Sequence, residues 1–98
     1  MITKGNASKP DKLRVTFRLP SSIWAETVHL VGDFNGWNRQ SHPLDRTAEG
    51  SWEITLELDR GRMYQFRYLV NGTDWQNDWN ADRYIPNPFG GENSVLET

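Results

Sequence analysis

The chain has 98 residues and a mass of 11.4 kDa, enough for one domain with one core, since domains run about 100 to 150 residues. Apolar residues make up 36% and aromatic residues 12%, so the apolar bulk is concentrated in five Trp, four Phe and three Tyr. The net charge of −2, from 11 basic and 13 acidic side chains, supplies no general attraction to phosphate backbones or anionic lipid and argues against nucleic-acid and membrane-surface roles.

Residues 1–11 hold Lys4, Gly5, Asn6, Ser8, Lys9 and Pro10 around a single large apolar side chain beyond Met1. That composition buries too little to offset its ordering entropy, so 1–11 is expected as a flexible N-terminal tail and 12–98 as the folded domain. The charge divides the same way: residues 1–12 carry three Lys and one Asp, and 13–98 carry eight Arg against twelve acids.

From Leu13 the pattern has period two, with Leu13, Val15, Phe17 and Leu19 on one side and Arg14, Thr16 and Arg18 on the other, until Pro20. After a Pro-Ser-Ser break, Trp24 reads as core or edge packing. The β-branched run Thr27–Val31 is a second strand that ends at Gly32. Trp52, Ile54, Leu56 and Leu58 alternate with Glu53, Thr55 and Glu57, and Asp59-Arg60-Gly61 turns the chain into Met63–Val70, so the two segments predict a hairpin. Asn71-Gly72 fits a type I′ turn, which needs positive φ at both central positions, and a short strand through Trp75 should follow. Asn80–Gly91, rich in Pro and Gly, reads as irregular, and Asn93–Glu97 as a last edge strand. No ten-residue segment has a helical stripe. Six or seven short strands with turns every 8 to 12 residues predict an all-β, immunoglobulin-like antiparallel β-sandwich, with a five-stranded barrel as the runner-up. The chain lacks the Cys…Trp…Cys spacing of antibody domains.

Little in the chain supports catalysis. His29 falls within a strand and His42 in a Ser-His-Pro loop, and neither brings the converging groups a nucleophilic site needs. Asp74, Asp78 and Asp82 are spaced by four, without the glycine pivot or closing Glu of a calcium loop. A 98-residue sandwich has little room for a cleft that encloses a sugar between two carboxylates. No enzyme activity, metal or cofactor is therefore expected. The absence of cysteine removes disulfides and a thiol nucleophile and points to a cytoplasmic setting. No apolar run approaches the roughly 20 residues of a spanning helix, and the first 20 residues contain no continuous apolar stretch of a leader. A Met1 start and an end just past the last strand fit either a whole small protein or an excised domain.

What remains is indoles placed at turns. Trp52 is in phase with Ile54 and Leu56 and reads as core, but Trp37 follows Asn35-Gly36, and Trp75 follows Asn71-Gly72 with Trp79 four residues on. An exposed indole beside Asn and Arg suits a neutral, hydroxylated ligand: a pyranose lays its C–H face on the ring while amides and guanidinium bond the rim hydroxyls. Two such platforms supply about 2 to 4 kcal/mol before association costs, which gives affinities on the order of micromolar to millimolar.

The stretch Val31-Gly32-Asp33-Phe34-Asn35-Gly36-Trp37 resembles the signature of carbohydrate-binding module family 48, which includes the glycogen-binding domain of AMP-activated kinase β-subunits and the N-terminal early-set domains of isoamylases and glycogen branching enzymes. Leu44, Gly50-Ser51-Trp52-Glu53, Tyr64–Gly72 and Gly90–Val95 match its further motifs in order, so the resemblance runs from about Lys12 to Glu97. It implies an early-set sandwich that binds α-1,4-linked glucan (glycogen, starch or maltooligosaccharide) without catalysis. By position, Trp37 and Trp75 match its stacking tryptophans, Arg67 its basic residue, Asn93 its hydrogen-bonding asparagine and Phe89 an apolar loop residue against the sugar. Strand alternation agrees for Arg67, which points opposite to Phe66 and Tyr68. Three departures stand out. Thr73-Asp74 adds a residue before Trp75, Asp78-Trp79 replaces the usual Asp-Pro, and Gly91 stands in place of a hydroxyl residue. They leave Trp79 as the alternative second platform. The alternative function is an early-set structural or protein-docking module, with an amylolytic enzyme or a kinase as partner and no sugar binding of its own.

Overall fold

The computed structural model describes residues 1–88 and 90–98. Within them the chain forms β1 (Ile2–Asn6), β2 (Lys12–Leu19), β3 (Val28–Gly32), β4 (Asp45–Arg46), β5 (Trp52–Asp59), β6 (Met63–Val70), β7 (Asp74–Gln76), β8 (Arg83–Pro86) and β9 (Glu92–Glu97), with one 3₁₀ turn at Asp33–Asn35. All strand pairs are antiparallel, in two sheets ordered β1-β2-β5-β4 and β3-β6-β9-β8, with β7 also paired to β6. The chain is an immunoglobulin-like β-sandwich, as its alternation predicts.

Alternation decides which residues meet. Across β2 and β5, Leu13 stands opposite Leu58, Val15 opposite Leu56, Phe17 opposite Ile54 and Leu19 opposite Trp52, so one face of the sheet is wholly apolar. On the facing sheet Val28, Leu30, Tyr64, Phe66, Tyr68 and Leu96 are buried, and the Phe17 and Phe66 rings meet edge to face at 5.1 Å across the interface. Each large side chain buried this way contributes about 1.5 to 3 kcal/mol. The solvent face of β2 and β5 is charge-matched: Lys12 lies opposite Asp59, Arg14 opposite Glu57 and Arg18 opposite Glu53, with the Thr16 and Thr55 hydroxyls bonded at 2.9 Å between them. The Asn71-Gly72 turn forms as expected, with φ of 54° and 73°.

The structure differs from the sequence reading in three places. Ile2–Asn6, expected in a flexible tail, pairs along β2 with Ile2 opposite Phe17. Its sequence is too polar to announce a strand; its partner supplies the ladder, and the Lys4 ammonium crosses to the Asp82 carboxylate beside the other sheet at 2.7 Å. Arg83–Pro86 is strand β8 within the segment read as irregular. It forms the outer edge of its sheet, where a proline costs no ladder bond. Trp24, expected in packing, is 91% exposed: Ile23 and Ala25 on either side turn into the core, which sends the residue between them outward.

Two carboxylates are held below their ordinary value of 3.8. The Lys12 ammonium bonds Asp59. Partial burial raises Asp82, but the Glu97 N–H and the Lys4 ammonium outweigh it. A carboxyl whose folded pKa is depressed contributes stability above its unfolded pKa and loses it as pH falls through the folded value. Urea unfolding of the wild type at about pH 6 and about pH 3 should therefore show a larger acid loss than Asp82→Asn shows; equal losses would remove Asp82 from the account. Gly32 provides a second test. A Cβ there sits 2.5 Å from the Gln65 carbonyl oxygen and 2.7 Å from the Phe66 Cβ, whereas one at Gly5 meets nothing within 4 Å. Gly32→Ala is expected to cost about 1 to 3 kcal/mol in urea melts and Gly5→Ala under about 0.5 kcal/mol.

Candidate functional site

The site is built on the outer face of the sheet that holds β3 and β6. Val31, Leu69 and Val95 point away from the main core yet are fully or almost fully buried. They form an apolar floor. Arg67 stands opposite Val31 and Trp75 opposite Leu69, so register places a cation and an indole on the same face, beside these apolar side chains. Both are half-buried.

Trp37 arrives from the turn after β3, and each residue before it has a structural part. Gly32 lets the chain pass against β6 where a side chain would collide. Phe34 turns inward among Phe17, Tyr64 and Phe66, with ring centroids at 5.8, 6.0 and 6.5 Å. Asn35 accepts the Gly32 N–H at 3.1 Å and donates to the Leu30 carbonyl at 2.9 Å and to His42 Nδ1 at 3.0 Å. Gly36 and Trp37 both take the left-handed conformation, with φ of 64° and 60°. That is easy for glycine and costs an aromatic residue on the order of 1 kcal/mol or more. Asp33 holds the result in place: one carboxylate oxygen accepts the indole Nε1–H of Trp37 at 2.9 Å, and the other accepts the Gln65 backbone N–H at 2.8 Å. The indole is thereby fixed to β6.

Trp37 and Trp75 line one groove of about 510 Å³ with Arg67 and Asn93. The Arg67 guanidinium carbon lies 5.7 Å from the Trp75 ring centroid, and that of Arg39 lies 5.5 Å from the same centroid. Arg67 Nε is buried without a hydrogen-bond partner. Asn93 is positioned by a line of amides, donating to Gln65 Oε1 at 3.1 Å and accepting from Asn87 Nδ2 at 3.3 Å. Asn87 also grips Gly91 through both backbone and side chain.

Of the residues singled out from sequence, the structure therefore brings together Trp37, Arg67, Trp75 and Asn93. Trp79 is 63% exposed and is not among the groove's lining residues. Phe89 lies outside the described residues. The three acids spaced by four have separate surroundings. Asp78 is buried and accepts the Tyr68 hydroxyl at 2.7 Å, and burial together with that carboxylate pushes Tyr68 well above its ordinary 10. Asp82 is engaged by Lys4 and the Glu97 N–H, and no group of metal-ligating side chains occurs among the described residues. Sequence reasoning missed Arg39 and the Asn87-Pro88 corner of the groove. Arg39 had a usable signal, since it is the sole Lys or Arg between Arg18 and Arg46 and stands two residues after Trp37. Asn87 had none, because its place depends on the pairing of β8 with β9.

Residues 6–89 match the family model described as carbohydrate-binding module 48, the isoamylase N-terminal domain. Among curated proteins the chain is 34% identical over 68 residues to the 1,4-alpha-glucan branching enzyme of Butyrivibrio fibrisolvens, covering 64% of this chain and 10% of that protein. It is 46% identical over 53 residues to the branching enzyme of Methylococcus capsulatus, covering 50% and 7%, and 58% identical over 38 residues to that of Dictyostelium discoideum, covering 39% and 5%. The chain thus spans a tenth or less of the length of these relatives. No helix among the described residues is long and apolar enough to cross a membrane. With the family model covering most of its length, and with the signature turn folded around Asp33 and Trp37, the chain belongs to carbohydrate-binding module family 48.

Proposed function

We propose that this chain is a non-catalytic module that binds α-1,4-linked glucan, as glycogen, starch or maltooligosaccharide, along the groove between Trp37 and Trp75. The observation that carries the reading is the convergence of two indoles, two guanidiniums and two primary amides on one open groove. Glucose rings stack on the indoles, and the Arg67 and Asn93 N–H groups reach the hydroxyls. The names of the relatives support glucan as the ligand class. Non-catalysis is supported by chemistry: the groove is lined by indoles, guanidiniums and amides, whereas hydrolysis of a glycoside calls for two opposed carboxyl groups. Asp33, below Trp37, is already engaged twice. In this reading the module delivers glucan to an amylolytic or branching enzyme of which it forms part. A protein-docking role is the second reading, favoured by Trp24, a 91% exposed indole that is not among the groove's lining residues.

Titration with maltoheptaose, followed by tryptophan fluorescence and calorimetry with cellohexaose as control, tests the two. Saturable binding of the α-glucan alone is expected, in the micromolar to millimolar range. Trp37→Ala and Trp75→Ala should each lose about 1 to 2 kcal/mol of affinity and Arg67→Ala about 1 kcal/mol, with Trp79→Ala unchanged. Silence toward maltoheptaose up to millimolar sugar would move the assignment to docking. Full affinity in Trp75→Ala together with a loss in Trp79→Ala would move the second platform to Trp79.

A further inference from the structure

Two guanidiniums, Arg39 and Arg67, and no acidic side chain are among the residues that line the groove. Arg18, Arg62 and Arg83 each hold a carboxylate. Among the described residues, Arg39 and Arg67 have no carboxylate within 4.0 Å and donate no hydrogen bond, and the Nε of Arg67 is buried with no acceptor. Both guanidiniums sit beside Trp75, which keeps them within about 11 Å of each other. Arg14, Arg46 and Arg60 are likewise without a carboxylate within 4.0 Å among the described residues, but none of them lines the groove; what marks the groove is two such guanidiniums beside one indole with no acidic side chain in the lining.

A neutral glucan satisfies guanidinium N–H groups with hydroxyls but leaves both charges uncompensated. Contact with an indole does not change this, since the ring offers a quadrupole and no acceptor oxygen. A phosphate monoester on a glucose hydroxyl carries about −1.5 to −2 charge near neutral pH and three acceptor oxygens, which matches two guanidiniums in charge and in number of donors. A single carboxylate would match one. Resting on the glucan reading above, we propose that the groove takes phosphorylated α-glucan, a chain with a phosphate ester on a sugar hydroxyl, in preference to the neutral chain. Trp37 and Trp75 carry the sugar rings, and Arg39 with Arg67 holds the phosphate.

The test is calorimetric titration of the whole chain with maltoheptaose and with maltoheptaose bearing one phosphate on a C6 hydroxyl, with glucose 6-phosphate as a third probe. The phosphorylated oligosaccharide should bind about tenfold tighter than the neutral one at low ionic strength. That advantage should shrink between about 0.02 M and about 0.5 M NaCl. In Arg39→Gln, an exposed position where folding is not at risk, the ratio of the two affinities should fall toward one. Equal affinity for both oligosaccharides in the wild type overturns this proposal and leaves the glucan reading standing. Glucose 6-phosphate binding as tightly as the phosphorylated oligosaccharide, with no response to the neutral one, overturns both. An undiminished ratio in Arg39→Gln overturns the assignment of Arg39.

Discussion

The carboxylate of Asp33 is the interaction on which the site depends. With one oxygen on the Trp37 indole and the other on the Gln65 backbone N–H, it ties a surface turn to the strand that carries Arg67. Its position is possible only because the residue before it is Gly32, where β3 passes so close to β6 that a Cβ would lie 2.5 Å from a carbonyl oxygen. A charge-assisted hydrogen bond is worth roughly twice a neutral one, which offsets the left-handed backbone at Trp37. The signature from Val31 to Trp37 is thus a mechanical unit. Phe34 anchors it in the core, Asn35 closes the turn, Gly36 and Trp37 reverse the chain, and Asp33 aims the ring.

The second constraint is the layer beneath the groove. A sheet with only one buried face would leave Arg67 and Trp75 on flexible stems in water. Here Val31, Leu69 and Val95 form a small apolar layer outside the main core, and the paired strands hold Arg67 beside Val31 and Trp75 beside Leu69 on that face. The amide line from Gln65 through Asn93 to Asn87 extends the ordering to the loop on the far side. A weak ligand benefits most from such preparation, because side chains already held in place have little rotamer entropy left to lose on binding.

How much of this could be read from the chain follows from which interactions are local. The hairpin of β5 and β6, the strand β2 and the Asn71-Gly72 turn each announce themselves within ten residues, through alternation or a positive-φ pair. The faces follow from the same alternation, so Arg67 was legible as outward and Phe66 as inward. Ile2–Asn6 and Arg83–Pro86 were not legible, because polar edge strands owe their existence to the ladder of a neighbour. Trp24 misled for the opposite reason: a large ring in a small domain argues for burial, and only the inward turn of Ile23 and Ala25 around it places it in solvent. At the site, the turn residues around Trp37 and Trp75 flag the two indoles, alternation gives only the outward direction of Arg67, and Asn93 was singled out through the family resemblance alone. Arg39 and Asn87 enter the groove through loops whose paths the pattern does not give.

The separation of charge across the molecule completes the picture. On the sheet of β2 and β5, each outward cation of β2 stands opposite an acid of β5, and Lys12 and Arg18 close ion pairs with Asp59 and Glu53 across it. On the opposite sheet the groove breaks this rule, with two guanidiniums beside one indole and no acid among the residues that line it. Like charges held close raise the energy of the unliganded state, and a buried unpartnered donor such as Arg67 Nε adds to it. In the proposed reading a ligand offsets part of this by bringing acceptors to the accessible N–H groups of Arg39 and Arg67, while the Arg67 Nε, being buried, stays out of its reach.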